Sequence, residues 1–171
     1  EALRYRHKPK LSNVDKCHSV LIFLDYSKKY TSEIMVFLQN FENKYPGRRK
    51  FVFKCHVNCP VELKNYNFKH AKIFDGSIED ALNQHKICFC SNMTSAQVDA
   101  YMFGLKIVVF NNSDELNMSP LTDNKDVIFV NTLKAFLNST SDINDIEIRP
   151  KEFFYSNKKL EKWSTILFDK V

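Results

Sequence analysis

Glycine is scarce in this 171-residue chain, with three in all. No glycine-rich P-loop is present, nor a metalloprotease helix, a serine nucleophile elbow or an EF-hand loop. The enzyme classes built on those motifs are therefore set aside. The five cysteines, Cys17, Cys55, Cys59, Cys88 and Cys90, include no Cys-x-x-Cys pair. Their odd number argues against a disulfide framework and for a reducing compartment. A zinc site drawn from Cys55, His56, Cys59, Cys88 and Cys90 fits no common module, and buried, reduced thiols are the simpler expectation. No apolar run approaches the length of a membrane span, and no signal-peptide layout opens the chain. It starts at Glu1 rather than Met, so the expectation is a fragment or processed chain, with room for an upstream signal or domain.

Charge of one sign is also modest. The net charge is +5, and Arg4, Arg6, His7, Lys8 and Lys10 gather part of it before any strand begins. Residues 1–18 read as a basic linker or N-terminal extension; the sharper reading is attraction to anionic lipid, a peripheral membrane contact, or to nucleic acid. Most aromatic residues sit inside apolar runs rather than between lysines and arginines, which argues against nucleic acid as a partner. Four Asn-x-Ser/Thr sequons, at Asn92, Asn111, Asn117 and Asn138, read as chance in an Asn-rich chain. At this length one domain can bury roughly 70% of its unfolded surface, enough for a true core.

Strand and helix patterns alternate along residues 19–149. Ser19–Leu24 read as a first strand, followed by an amphipathic helix over Thr31–Tyr45 with Ile34, Phe37, Leu38, Phe41 and Tyr45 on one face. Lys50–Lys54 and Ala71–Phe74 read as further strands. Asp75-Gly76-Ser77 makes a turn into a short helix ending near His85. Val127–Val130 form a later strand, and a helix follows from Thr132 to about Asn138. The alternation predicts an α/β fold: a Rossmann-like, doubly wound parallel sheet of about six strands, helices on both faces. Pro150 is placed to open a C-terminal helix over 150–171, with Phe153, Phe154, Leu160, Trp163, Ile166 and Leu167 apolar.

The stretch from Lys86 to Phe110 carries the chemistry. Ile87–Cys90 read as a strand, Ser91-Asn92 as its turn, and Thr94 with Gln97 stand in capping-box spacing before a helix from Ser95. Gly104 follows the last helical turn, and Leu105–Phe110 form the next strand. Ser91, Asn92, Thr94 and Ser95 thus gather amide and hydroxyl groups where unpaired helix N–H groups favour an anion, most simply a phosphate. Asp99, one turn deeper on the same face, can accept from ribose hydroxyls. In open parallel sheets, ligands bind beyond the carboxyl ends of the strands. Three loops meet that condition: His56–Pro60, Ser91–Ser95 and Asn111–Pro120. His56 is the candidate catalytic residue, giving a proton or hydrogen bond to a leaving phosphoryl oxygen, with Lys54 neutralising charge nearby. Asn117 and Ser119 offer an amide and a hydroxyl to a sugar or base edge. Each also has a plainer reading: a capped helix, a structural histidine, a surface turn.

SNMTSAQVDAYMFGLKIVV resembles the donor-binding half of GT-B glycosyltransferases, with Asp99-Ala100, Gly104 and Ile107-Val108-Val109 at their Glu-Ala, Gly and next-strand positions. Lys54–Val61 is similar to the Lys-Pro-His-Pro segment of bacterial surface-carbohydrate glycosyltransferases, including those that use CMP-activated sialic acid or Kdo. Here Cys55 and Val57 replace the flanking prolines. Leu116–Leu121 is similar to a loop of surface carbohydrate biosynthesis proteins, as is the ending around Phe153, Phe154, Tyr155, Leu160 and Trp163. The matches span about residues 19–168 in order. The resemblance implies a nucleotide-sugar-binding GT-B half at 19–149. Its donor would be a CMP-activated sugar, its acceptor a saccharide or lipid-linked saccharide, and its partner an N-terminal half upstream. It implies no cofactor and no metal, and a cytoplasmic location at the inner membrane face. The lone fragment is expected to be inactive as a transferase. The rival expectations are a non-catalytic α/β binding or assembly module and a sugar-nucleotide epimerase-like domain.

Overall fold

The computed structural model describes residues 17–112 and 114–141. The expected C-terminal helix and the basic N-terminal extension lie outside the described residues, apart from the first residues of β1. Six strands, β1 (Cys17–Phe23), β2 (Phe51–Lys54), β3 (Ala71–Ile73), β4 (His85–Ser91), β5 (Lys106–Phe110) and β6 (Val127–Val130), form one sheet in the order β3-β2-β1-β4-β5-β6. Every pairing is parallel. The chain winds outward from β1 to β3, then returns to the other side of β1 and winds outward again from β4 to β6. The α/β, doubly wound architecture expected from the alternation is therefore present. Its winding direction reverses between β1 and β4.

The strands are continuous apolar runs because both faces are covered. On one face Val20, Ile22, Leu24, Phe51, Phe53, Ile87, Phe89, Val108 and Val130 pack under helices α1 (Lys28–Lys44) and α4 (Leu133–Ser139). On the other, Leu21, Phe23, Val52, Cys88, Cys90, Ile107, Val109 and Val127 pack under α2 (Ile78–Gln84) and α3 (Ala96–Met102). The period of two along each strand assigns alternate residues to the two cores. Phe136 of α4 locks the first core. Its ring lies 4.6 Å from Phe89 and 4.9 Å from Phe41, in edge-on geometry. Cys55 borders this first core while Cys88 and Cys90 belong to the second, so the sheet separates the thiols that a shared zinc site would need together.

Turn chemistry fixes the helix ends. Ser77 and Asp80 form a reciprocal capping box at α2. Gly104, at φ 70°, closes α3 with its N–H on the Tyr101 carbonyl, while Leu105 N–H reaches the Ala100 carbonyl. Arg49 holds the far end of α4, its Nε donating to Thr140 Oγ1 at 2.9 Å and its Nη2 to the Leu137 carbonyl at 3.0 Å. Among the described residues no helix is long and apolar enough to cross a membrane.

Candidate functional site at the carboxyl edge of the sheet

In a parallel sheet all strands end at the same edge. The loops after β1, β2, β4 and β5 therefore share one rim, and the three loops singled out from the sequence all lie on it. The centre of that rim is the gap between β1 and β4, where the winding reverses and the loops diverge.

Asp25 occupies the gap. It follows β1, is 1% exposed, and spends both carboxylate oxygens on internal donors. Oδ1 accepts from Ser27 N at 2.9 Å, and Oδ2 accepts from Ser91 Oγ at 2.8 Å. Its carbonyl accepts from Thr31 Oγ1 at 2.9 Å. One buried residue thus joins the ends of β1 and β4 and the first turn of α1. Helix α1, at 17 residues the longest described, carries this internal anion at its amino end, where a carboxylate is stabilised.

The Ser91–Ser95 corner departs from its expected geometry. Ser91 is buried and its hydroxyl proton goes to Asp25, so it is not free to donate to a phosphate. Asn92 is buried and donates from Nδ2 to Asn111 Oδ1 at 2.9 Å and to the Leu116 carbonyl at 3.2 Å. The Thr94–Gln97 capping box does not form. Ser95 is the N-cap of α3, in helical geometry and without a side-chain cap bond, while Thr94 Oγ1 accepts from Ala96 N at 3.3 Å. Gln97 turns inward instead. Fully buried, it donates from Nε2 to the Ser91 carbonyl at 2.8 Å and accepts at Oε1 from Ser119 Oγ at 2.6 Å. Tertiary bonding has taken the side chain that a local box would use. Helix α3 has seven residues, about two turns, so its end offers a weaker dipole than a long helix would.

The loop after β5 is built from the same network. Ser119 Oγ also accepts from Leu121 N at 3.1 Å, and Asn117 Oδ1 accepts from Ser119 N at 3.0 Å. Thr94, Asp99 and Asn117 are half-buried and Ser95 is exposed. Lys54, at the end of β2, donates to the Gly76 carbonyl at 2.6 Å, which ties the loops after β2 and β3 together.

His56 is half-buried in a tight turn, where its carbonyl accepts from Cys59 N at 2.9 Å. Its Nδ1 accepts from Asn58 N at 3.2 Å. The neutral ring therefore carries its proton on Nε2, the tautomer that can donate outward. The ring meets Tyr26 edge-on, with centroids 6.2 Å apart. Through Tyr26 and Asp25, the histidine turn and the Ser91 corner are successive neighbours along the rim. Cys55 beside it has its thiol pKa pushed up, by burial above all, so it is no ready nucleophile.

Asp25 and Tyr26 are the rim residues that sequence reasoning missed, while the sequence pattern reads Gln97 as a local cap and Asn111 as the start of a loop. One signal for Asp25 was present: a carboxylate closing the first apolar run, with Ser27 and Thr31 just beyond. Comparison of the chain with protein-family models, with curated proteins and with solved structures finds no match to any of them.

Proposed function

We propose that the chain is the donor-binding half of a GT-B-like glycosyltransferase, taking a nucleotide sugar, of CMP type, at the carboxyl edge of its sheet. The observation that supports it most is the shared rim. The turn carrying His56, the Ser91–Ser95 corner and the Asn111–Pro120 loop, the three segments that resemble such enzymes, lie at one edge, flanking the β1–β4 reversal. In this reading the bond from the anomeric carbon to the donor phosphate breaks, and the acceptor hydroxyl oxygen takes its place on carbon. His56 Nε2–H stabilises the departing phosphate oxygen. Thr94 and Ser95 supply hydroxyl donors, and Asp99 and Asn117 contact the sugar hydroxyls. Ser91, Asn92, Ser119 and Lys54, already bonded within the protein, shape the site rather than touch the donor. The group that takes the acceptor's proton belongs to a partner half.

A second reading is favoured by one observation: Ser91, Asn92, Gln97 and Ser119 are buried and bonded within the protein, Ser91 to Asp25 and Gln97, Gln97 to Ser119, and Asn92 to Asn111, as in a rim serving only as framework. The chain is then a non-catalytic binding or assembly module. Calorimetric titration with CMP, CDP and UDP separates the two. The donor reading expects micromolar to millimolar binding of CMP, weakened by Ser95→Ala and by Asp99→Ala. No heat from any nucleotide at millimolar concentration would leave the module reading.

A further inference from the structure

Among the described residues six large apolar side chains stand exposed: Tyr26, Val36, Val57, Ile78, Leu116 and Met118. All but Val36 lie on loops or at a helix start along the carboxyl edge of the sheet. Tyr26 is the aromatic one and the most central, placed directly at the β1–β4 reversal and 61% exposed. The residues around it are fixed. Asp25, immediately before it, is 1% exposed and bonded to Ser27 N, Ser91 Oγ and Thr31 Oγ1, and Thr31 N donates to the Ser27 carbonyl at 3.0 Å. The Tyr26 backbone is thus held by the most constrained part of the rim while its ring stands in water. His56 braces that ring edge-on at 6.2 Å.

An aromatic side chain restricted in this way loses little conformational freedom when a ligand covers it. The ring face attracts a flat π-surface. A phosphate gains much less from it. Resting on the donor-binding reading, we infer that Tyr26 is the platform on which the base of the donor nucleotide stacks, beside the His56 that faces its phosphate. Stacking of this kind is tolerant of base identity, because every base has a π-face. The platform therefore supplies affinity for a nucleotide over a bare sugar phosphate, and little preference between cytosine and uracil.

The test titrates the full chain with CMP, UMP and ribose 5-phosphate, in wild type, Tyr26→Phe and Tyr26→Ala. Because Tyr26 is exposed, both variants should melt at the wild-type temperature. Tyr26→Phe keeps the ring and should bind CMP within about twofold of wild type. Tyr26→Ala should weaken CMP and UMP alike by roughly 5- to 150-fold, and leave ribose 5-phosphate unchanged. If Tyr26→Ala binds CMP as wild type does, the platform is refuted while the donor-binding reading stands. Equal weakening of CMP and ribose 5-phosphate would also refute it, since a distorted loop, not a lost base contact, has that signature. If wild type binds none of the three, the donor-binding reading falls and takes the platform with it.

Discussion

The Asp25–Ser91 bond should hold the two halves of the sheet's rim together, and its energy can be isolated. Both residues are buried, at 1% and 2% exposure, and 66 positions separate them in the chain. A hydrogen bond to a charged group contributes about 1.5–3 kcal/mol, and an orphaned buried partner adds its own cost. Asp25→Ala removes two such bonds, to Ser27 N and Ser91 Oγ, and strands the serine hydroxyl. The expected loss is about 3–5 kcal/mol. Ser91→Ala leaves the carboxylate buried with one partner fewer, at about 2 kcal/mol. Because one bond is shared, the double variant should cost less than the sum, with a coupling energy of about 1.5–3 kcal/mol. Urea unfolding followed by circular dichroism reads this directly. With a slope of about 2 kcal/mol per molar urea, Asp25→Ala lowers the midpoint by roughly 2 M. Asp25→Asn, which keeps an acceptor for Ser27 N and can donate to Ser91, should fall much less. Single losses that add to the double within about 0.5 kcal/mol would refute the bond as the tie between β1 and β4.

Two further outcomes test the cores. Phe136→Ala empties the centre of the aromatic cluster formed with Phe37, Phe41 and Phe89 and should cost about 3–5 kcal/mol in urea unfolding; a loss below about 1 kcal/mol would mean that α4 is not seated on β4 as described. Burial holds the Cys88 thiol pKa well above its ordinary 9.0, with Cys90 beside it adding to the shift. The unfolded thiol therefore loses its proton first, and this group's contribution, complete below pH 9.0, is lost as pH rises beyond it. Unfolding at pH 8 and pH 10 should show roughly 1 kcal/mol less alkaline loss in Cys88→Ala than in wild type, and equal losses would refute the assignment.

Where burial alone decides, the sequence was a sufficient guide. Val127–Val130 was bounded by turn residues and is a strand at those limits; the runs ending at Lys54 and Phe110 stop at the residues expected. Helix α1 begins at Lys28, three residues before the expected Thr31. Thr31, which looks like a cap, is buried and bonds back to the Asp25 carbonyl. The same error recurs at α3, where Thr94 and Gln97 have the spacing of a local cap, but Gln97 is drawn 22 residues away to Ser119. Periodicity reports which face is dry. It does not report which of two polar partners a side chain prefers when one is local and the other arrives only with the fold. The doubly wound sheet was expected from the alternation; that the position of β1 beside β4 makes Asp25 central was not, because that role belongs to the winding and not to local pattern.

The rim's polar residues accordingly divide into two sets that no sequence spacing distinguishes. Asp25, Ser91, Gln97 and Ser119 form one bonded set and Asn92 and Asn111 a second beside it, across four chain segments. A buried polar network of this kind stabilises only when complete, and its consequence is a fixed geometry for the loops it joins. Tyr26, His56, Thr94 and Ser95 stand on those loops, exposed or half-buried, where a ligand can reach them. Substitution in the first set should move stability and any binding together, because the loops shift when the frame fails. Substitution in the second should move binding alone. An assembly module would need the frame and have no use for that second pattern. Nucleotide affinity that falls at Tyr26 and Ser95 without a change in melting temperature is therefore the behaviour that separates a donor site from a scaffold.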